Sequence, residues 1–334
     1  MIVMIKHNNS EQKNLQYNKL FHRGSHAAWS VIRTIFLLGF AFVILYPVLS
    51  MVSKAFMESR DLYDSSVLWI PKHWTLKNVT FAWEQMDYPS AFLRSFGYSL
   101  SGTVIQTFIC TMAGYAFARF DFPLKRIWFV FVILSILIPP QMILMPLYLH
   151  MINFDLGGII TLLFGHGLNL TKTSFPFFLV SFTGFGLRNG LFIFLLRQSF
   201  RGMPKETEEA ALVDGAGPAR IFLRIMLPSA LSVLVTVMLF SFVWMWNDTD
   251  YASALLSNER MLPQAFDIFN SYMRSANNSS ETVELFRNFD LTDTKVIAML
   301  RSAGVLLVMA PLLIVYLVAQ RFFVESIDRS GLVG

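Results

Sequence analysis

The sequence predicts an all-α polytopic membrane protein with six transmembrane helices, and three observations carry that reading. Hydrophobic residues make up 54% of the 334 and charged residues only 15%, against about 45–50% and about 25% in ordinary soluble chains. Six stretches approach the ~20 apolar residues that a helix needs to cross a hydrocarbon core about 30 Å thick. The basic residues gather on the short connections at one side of those stretches, as the charge rule of membrane topology requires. Disorder is excluded by the 33 Phe and the low charge. The single cysteine, Cys110, excludes a zinc ribbon or a disulfide scaffold. The net charge of +5 is a topology signal and implies no nucleic acid.

Taken in order, residues 1–34 form a polar leader expected on the cytoplasmic side. The first span, Ile35 to Val52, follows it with no small-residue cleavage site, so it reads as a retained span and not a removed signal peptide. The second runs from Ala91 to Ala118, the third from Ile127 to Leu149, the fourth from Phe175 to Leu196, the fifth from Ser229 to Trp246 and the sixth from Val296 to Ala319. Pro139, Pro140 and Pro146 kink or break the third, which a membrane tolerates where the break is packed in protein or lines a polar path. Residues 35–334 thus form one transmembrane domain. With the N-terminus inside, the inner connections carry Arg119, Lys125, Arg126, Arg197, Arg201, Lys205, Arg220 and Arg224, which puts both termini in the cytoplasm. The outer connections, Ser53–Ser90, Met151–Ser174 and Asn247–Lys295, exceed the length of simple connectors. The last is expected to hold small helices.

The most informative segment is not a span. Residues 201–228 carry Pro204, which suits a helix start, and Glu206, Glu208 and Glu209, which complement the helix dipole. Gly215 and Gly217 supply a turn, Pro218 can start a second short helix and Pro228 ends it. Neither piece is stable alone, since isolated helices below about 12–15 residues are marginal in water. The apolar face of Ala210, Ala211, Val213, Ile221, Phe222 and Ile225 is therefore expected to need a neighbour.

Glu209-Ala210-Ala211, three residues, Gly215, nine residues, Ile225, one residue and Leu227-Pro228 match every defined position of the EAA signature of bacterial ABC-importer permeases. Gly114-Tyr115-Ala116-Phe117-Ala118-Arg119, Ile138-Pro139, Leu195-Leu196-Arg197-Gln198 and Trp246-Asn247-Asp248 extend the likeness over most of the chain. The sequence resembles the smaller permease subunit of the maltose-type carbohydrate importers. That resemblance implies the type I importer permease fold and a homologous second permease subunit as partner. It implies two ATPase subunits holding ATP and Mg, an extracytoplasmic solute-binding protein, and a bacterial inner-membrane location. It also implies that Glu209, Ala210, Ala211, Asp214 and Gly215 contact the ATPase. Two departures stand out: the connection around Gly157–Lys172 is longer than the family pattern and is expected to form an extra outer element, and the tail after Glu325 lacks the family's usual ending.

No G-x-x-x-x-G-K-[ST] loop, H-E-x-x-H pair or G-x-S-x-G elbow occurs in the chain, and the six His are scattered. The sequence therefore gives no catalytic or metal site, and energy is expected to come from a partner. Arg188, well inside the fourth span, is a candidate for the substrate path together with Asn189; a structural contact to another span is the alternative. Trp244, Trp246, Asn247 and Asp248, at the outer end of the fifth span, combine aromatic faces with hydrogen-bonding groups suited to sugar rings, although Trp also anchors interfaces. Two rivals remain at this stage. One is a permease for a non-sugar solute such as a polyamine or phosphonate. The other is an ion-driven secondary transporter, which the lack of a clear internal repeat disfavours.

Overall fold

A computed structural model describes the backbone of residues 2–67, 69–171, 173–184, 186, 188–256, 260–275 and 289–331, with side chains for those outside 2–28, 275 and 321–331. The basic side chains of the leader, those of the tail and residues 276–288 of the last long connection lie outside the described residues. Among the described residues all regular structure is helical, with two isolated antiparallel bridges, Met57 to Trp74 and Phe154 to Leu168. The chain divides into two compact units, residues 1–76 and 77–334.

The first unit is built on α1 (Ile2–Ala55), which runs unbroken through the expected leader into the first span. Its apolar part is exposed from Trp29 to Pro47, as suits a helix that is apolar on every side. After it, a short 3-10 turn (Ser59–Tyr63) buries Asp61. The Asp61 carboxylate lies 2.6 Å from His73 Nδ1 and accepts the His73 backbone N–H at 2.7 Å, which closes the loop on itself. Burial would raise this carboxyl, but the hydrogen bonds from the His73 side chain and backbone outweigh it and hold it below its usual 3.8.

The second unit begins with α2 (Lys77–Gln85) and α3 (Tyr88–Arg119). Pro89 suits the first turn of α3, because its missing N–H has no partner there in any helix. Next come α4 (Lys125–Leu137) and α5 (Pro140–Ile152), which meet at an angle of 106°. The cause is the Ile138-Pro139-Pro140 run: each proline pushes its predecessor out of the helical region, and Ile138 and Pro139 are extended. The expected third span is therefore two helices at a sharp corner. A short α6 (Ile159–Phe164) occupies the connection that the sequence marks as long.

The expected fourth span is also divided, into α7 (Phe175–Phe182) and α8 (Asn189–Gly202). Gly184 and Arg188 take positive φ in the break between them. Then follow α9 (Glu206–Val213), α10 (Pro218–Ile221), a π-helical turn (Phe222–Met226), α11 (Leu227–Ser229) and α12 (Leu231–Asn247). Pro228 lies in the last turn of the run that starts at Pro218, which stops at Ser229, one residue beyond it. The run from Pro218 to Ser229 bends by 77° into α12. Two small helices, α13 (Asp250–Leu255) and α14 (Leu262–Ser275), precede α15 (Thr294–Gly331).

Among the described residues three single helices are long and apolar enough to cross a membrane, namely Trp29–Ala55, Tyr88–Arg119 and Thr294–Gln320, and the two bent pairs bring the total to as many as five. The six-span expectation thus meets a fold in which prolines and glycines split the third and fourth spans, while the fifth is the single helix α12 with a sharp bend just ahead of it. In the second unit, α3 packs against α7, α8, α12 and α14, α4 against α8, and α15 against α2, α12 and α14. Lipid supplies little hydrophobic drive between helices, so close backbone approach and interhelical hydrogen bonds must supply the cohesion. Gly114 illustrates the first: a Cβ there would stand 2.8 Å from Leu196 Cβ and 3.0 Å from the Arg197 backbone nitrogen, so only glycine lets α3 and α8 meet so closely.

Candidate functional site

The helix-turn-helix at residues 201–228 forms where the sequence places it, and its local chemistry explains why. Glu206, Glu208 and Glu209 occupy the first turn of α9, where the amide ends favour negative charge. The helix closes with the Ala216 N–H bonded to the Ala211 carbonyl and the Gly215 N–H to the Leu212 carbonyl. That pair of bonds requires a left-handed residue at Gly215, whose φ is 78°. Pro218 opens α10 at its first turn.

The apolar face expected to need a neighbour is divided between two roles. Ala211, Ile221 and Phe222 are buried against Tyr115 of α3 and Phe200 of α8. The rings of Tyr115, Phe200 and Phe222 stand 4.8–6.3 Å apart, a three-way aromatic contact between the loop and two membrane helices. Ala211 therefore faces this chain's own core. Glu209, Ala210, Leu212, Val213, Asp214 and Gly215 remain exposed, Val213 at 88%. One side of α9 is bolted to the bundle, and the other presents small and apolar residues to whatever lies beyond it.

The bolt includes an ion pair. Arg119, the last residue of α3, places Nε 2.5 Å from Glu208 Oε1, with both side chains largely buried at 6% and 16% exposure. The N–H is not aligned with the carboxylate for a hydrogen bond, so the attraction is ionic. Arg119 Nη2–H also donates to the Met203 carbonyl at 2.8 Å, just ahead of α9. The sequence marked Glu208 only as complementing the helix dipole and Arg119 only as a basic residue of an inner connection, and it did not pair them; the Glu208 position beside the signature and the charge ending α3 were the available signals.

The expected path residues separate. Arg188 is exposed, with its guanidinium carbon 5.1 Å above the Trp244 ring. Phe192 and Phe240 stack on the same indole. Arg188 and Trp244 thus form one cation–π unit, as a structural contact between two spans would. Asn189 points inward: its Oδ1 accepts from the Gln106 amide, the Ser241 hydroxyl donates to Gln106 Oε1, and the Thr103 hydroxyl lies 3.3 Å from that of Ser241. All four are buried. This network joins α3, α8 and α12 and was missed, although Ser95, Ser99, Thr103, Gln106, Thr107 and Thr111 recur at helical spacing along α3 and are all buried.

Asn247 is exposed and its amide returns to the Val243 carbonyl at 2.8 Å. The Asp248 carboxylate accepts from the N–H groups of Tyr251 and Ala252, capping α13. Trp246 is fully buried, its indole N–H donating to the Val308 carbonyl at 3.3 Å, so its face is not free for a sugar. Near this end a cavity of about 790 Å³ is lined by Gln141, Tyr148, Thr249, Asp250, Ser253 and Asp267 among others. Among the described residues no cluster of three or more His, Cys, Asp or Glu could hold a metal ion.

The site is thus a short helical loop, half packed inward and half presented outward, on an all-helical bundle whose long apolar helices suit a membrane. Residues 110–329 match the model of the binding-protein-dependent transport system inner membrane component family, and the chain belongs to that family. It is 28% identical over 306 residues to the trehalose transport system permease protein SugB of Mycobacterium tuberculosis, which covers 92% of this chain and 97% of that one. It is 28% identical over 223 residues to the diacetylchitobiose uptake system permease protein NgcG of Streptomyces coelicolor, covering 67% and 68%. The fold is shared with the crystal structure of a bacterial ABC transporter involved in the import of the acidic polysaccharide alginate, at TM-score 0.68 and 22% identity over 90% of this chain and 98% of that one. Membership in this family sets aside the ion-driven alternative.

Proposed function

We propose that this chain is one of two permease subunits of an ATP-driven carbohydrate importer. The observation that carries the reading is the divided α9: Ala211 and the Arg119–Glu208 pair fix it to the bundle, while Glu209, Ala210, Asp214 and Gly215 face outward. A loop so held can pass a partner's movement to α3 and α8 without dissipating it. The partner is a cytoplasmic ATPase pair that supplies ATP and Mg. A homologous permease completes the path, and an external solute-binding protein delivers the sugar. Both termini lie in the cytoplasm, consistent with the basic connections at the α9 end, and the long connection after α12 faces the binding protein.

Support for a sugar comes from relatives named for trehalose and diacetylchitobiose uptake. The cavity lined by Gln141, Tyr148, Thr249 and Ser253 adds hydroxyl and amide groups of the kind that hydrogen-bond polyols. Transport proceeds by alternating access: closure of the ATPase pair draws the α9 loops together and turns the path outward. The test is uptake of radiolabelled mono- and oligosaccharides, and separately of a polyamine, by cells carrying the intact system or lacking this chain. Loss of sugar uptake alone supports the reading, and loss of polyamine uptake alone overturns the substrate class.

A further inference from the structure

On the α9 side of the bundle, Lys125 and Arg126 of α4 and Arg197 and Arg201 of α8 line one cavity of about 410 Å³, together with Asp121. We propose that this cavity binds the phosphodiester head group of an anionic phospholipid in the leaflet on that side.

Basic residues near a membrane surface are ordinary; their convergence on a single cavity between helices is what requires explanation. Arg197 and Arg201 are one turn apart on α8 and repel each other. Lys125 is matched by Asp121, at 3.1 Å. Among the described residues no carboxylate pairs with Arg126, Arg197 or Arg201. Four cations against one carboxylate leave a net excess of positive charge that an anion would relieve. Arg197 is also held in place: its guanidinium carbon lies 3.9 Å from the Phe129 ring centre and its Nε–H points to the Phe117 carbonyl at 3.4 Å. The guanidinium is thus positioned before any ligand arrives, which suits bidentate phosphate recognition.

The depth and the neighbouring surface select a lipid over a soluble anion. Trp128, one turn beyond Lys125 on α4, is exposed, and exposed tryptophans mark the head-group level. Around it Ile127, Val130, Phe131 and Leu134 are exposed and apolar, a surface for acyl chains next to the basic cavity. Basic pockets between membrane helices are a recognised form of anionic-lipid site.

The test uses the full chain with its co-purifying subunits in neutral detergent. Native mass spectrometry counts retained lipid after incubation with dioleoyl phosphatidylglycerol or dioleoyl phosphatidylcholine, with inorganic phosphate as a third arm. The wild type is expected to retain phosphatidylglycerol at least about tenfold better than phosphatidylcholine, and R126Q/R201Q to lose most of that preference. D121N removes a fully exposed carboxylate and is expected to raise phosphatidylglycerol retention, which keeps the proposal testable if the double variant fails to fold. Equal retention of the two lipids, unchanged retention in R126Q/R201Q or no rise in D121N would each overturn it. So would displacement of the lipid by millimolar phosphate, which indicates a soluble-anion site. Loss of the co-purifying subunits from R126Q/R201Q with lipid retained would also overturn it, by showing that the cavity faces protein.

Discussion

Arg119 Nε at the end of α3 stands 2.5 Å from Glu208 Oε1 in the first turn of α9, and the two side chains are largely shielded from solvent. The pair joins a membrane helix to the loop that bears the family signature. Removing one partner of a shielded pair leaves the other uncompensated, at a cost of about 3 kcal/mol. R119Q is expected to lower sugar uptake while ATP hydrolysis persists, because the loop still meets its partner but no longer drives α3. The exchange R119E/E208R should recover part of the uptake. Parallel uptake and hydrolysis assays in reconstituted vesicles check this, and equal loss of both in R119Q would assign the pair to assembly alone.

Gly114 sets the distance between α3 and α8. G114V places new atoms against Leu196 and the Arg197 backbone, neither of which can swing away, and overpacking of this kind costs about 1–3 kcal/mol. The expected outcome is a lower unfolding temperature in detergent than for the wild type. An unchanged unfolding temperature would show that the two helices are free to separate.

The buried Gln106–Asn189–Ser241 chain is a second tie, between α3, α8 and α12. Q106L removes the amide that donates to Asn189 and leaves Ser241 only its contact with Thr103, and interhelical hydrogen bonds in membranes contribute about 1 kcal/mol each. Q106L is expected to lower thermal stability by a comparable step, and Q106E by less, since the carboxyl can still accept from Ser241. Thermal denaturation of the three proteins side by side measures the difference.

Acid should loosen the loop at Ser59–Trp74. The Asp61 carboxyl has its folded-state pKa held below 3.8 by His73, so the carboxylate contributes stability that is present above 3.8 and is lost as pH falls through the lower folded value. Hydrogen exchange of the His73 backbone amide, which donates to Asp61, should speed up below that range, and D61N should remove most of the dependence.

Much of this was legible from the sequence because it is local. The Gly215 turn, the Pro218 start and the proline-broken third span each follow from the backbone preferences of a few adjacent residues. The inward packing of Ala211, the burial of Trp246 and the turning of Asn189 toward Gln106 were not legible. Each depends on which face of a helix meets a segment far away in the chain, and an apolar stretch of a membrane helix carries little periodicity to mark that face. The break before α8 lies between these cases. Gly184 and Gly186 stood in the sequence as signals, but the apolar residues around them read as a continuous span.

In the proposed mechanism the outward side of α9 meets the partner ATPase. Val213 is 88% exposed there, and Cys110 is the sole native cysteine and is buried. V213C therefore provides a single accessible thiol, which can be labelled with a benzophenone maleimide in membranes containing the intact system and then photolysed. A covalent product between this chain and the ATPase subunit is expected. An assembled, transporting complex in which residue 213 yields no such product would contradict it.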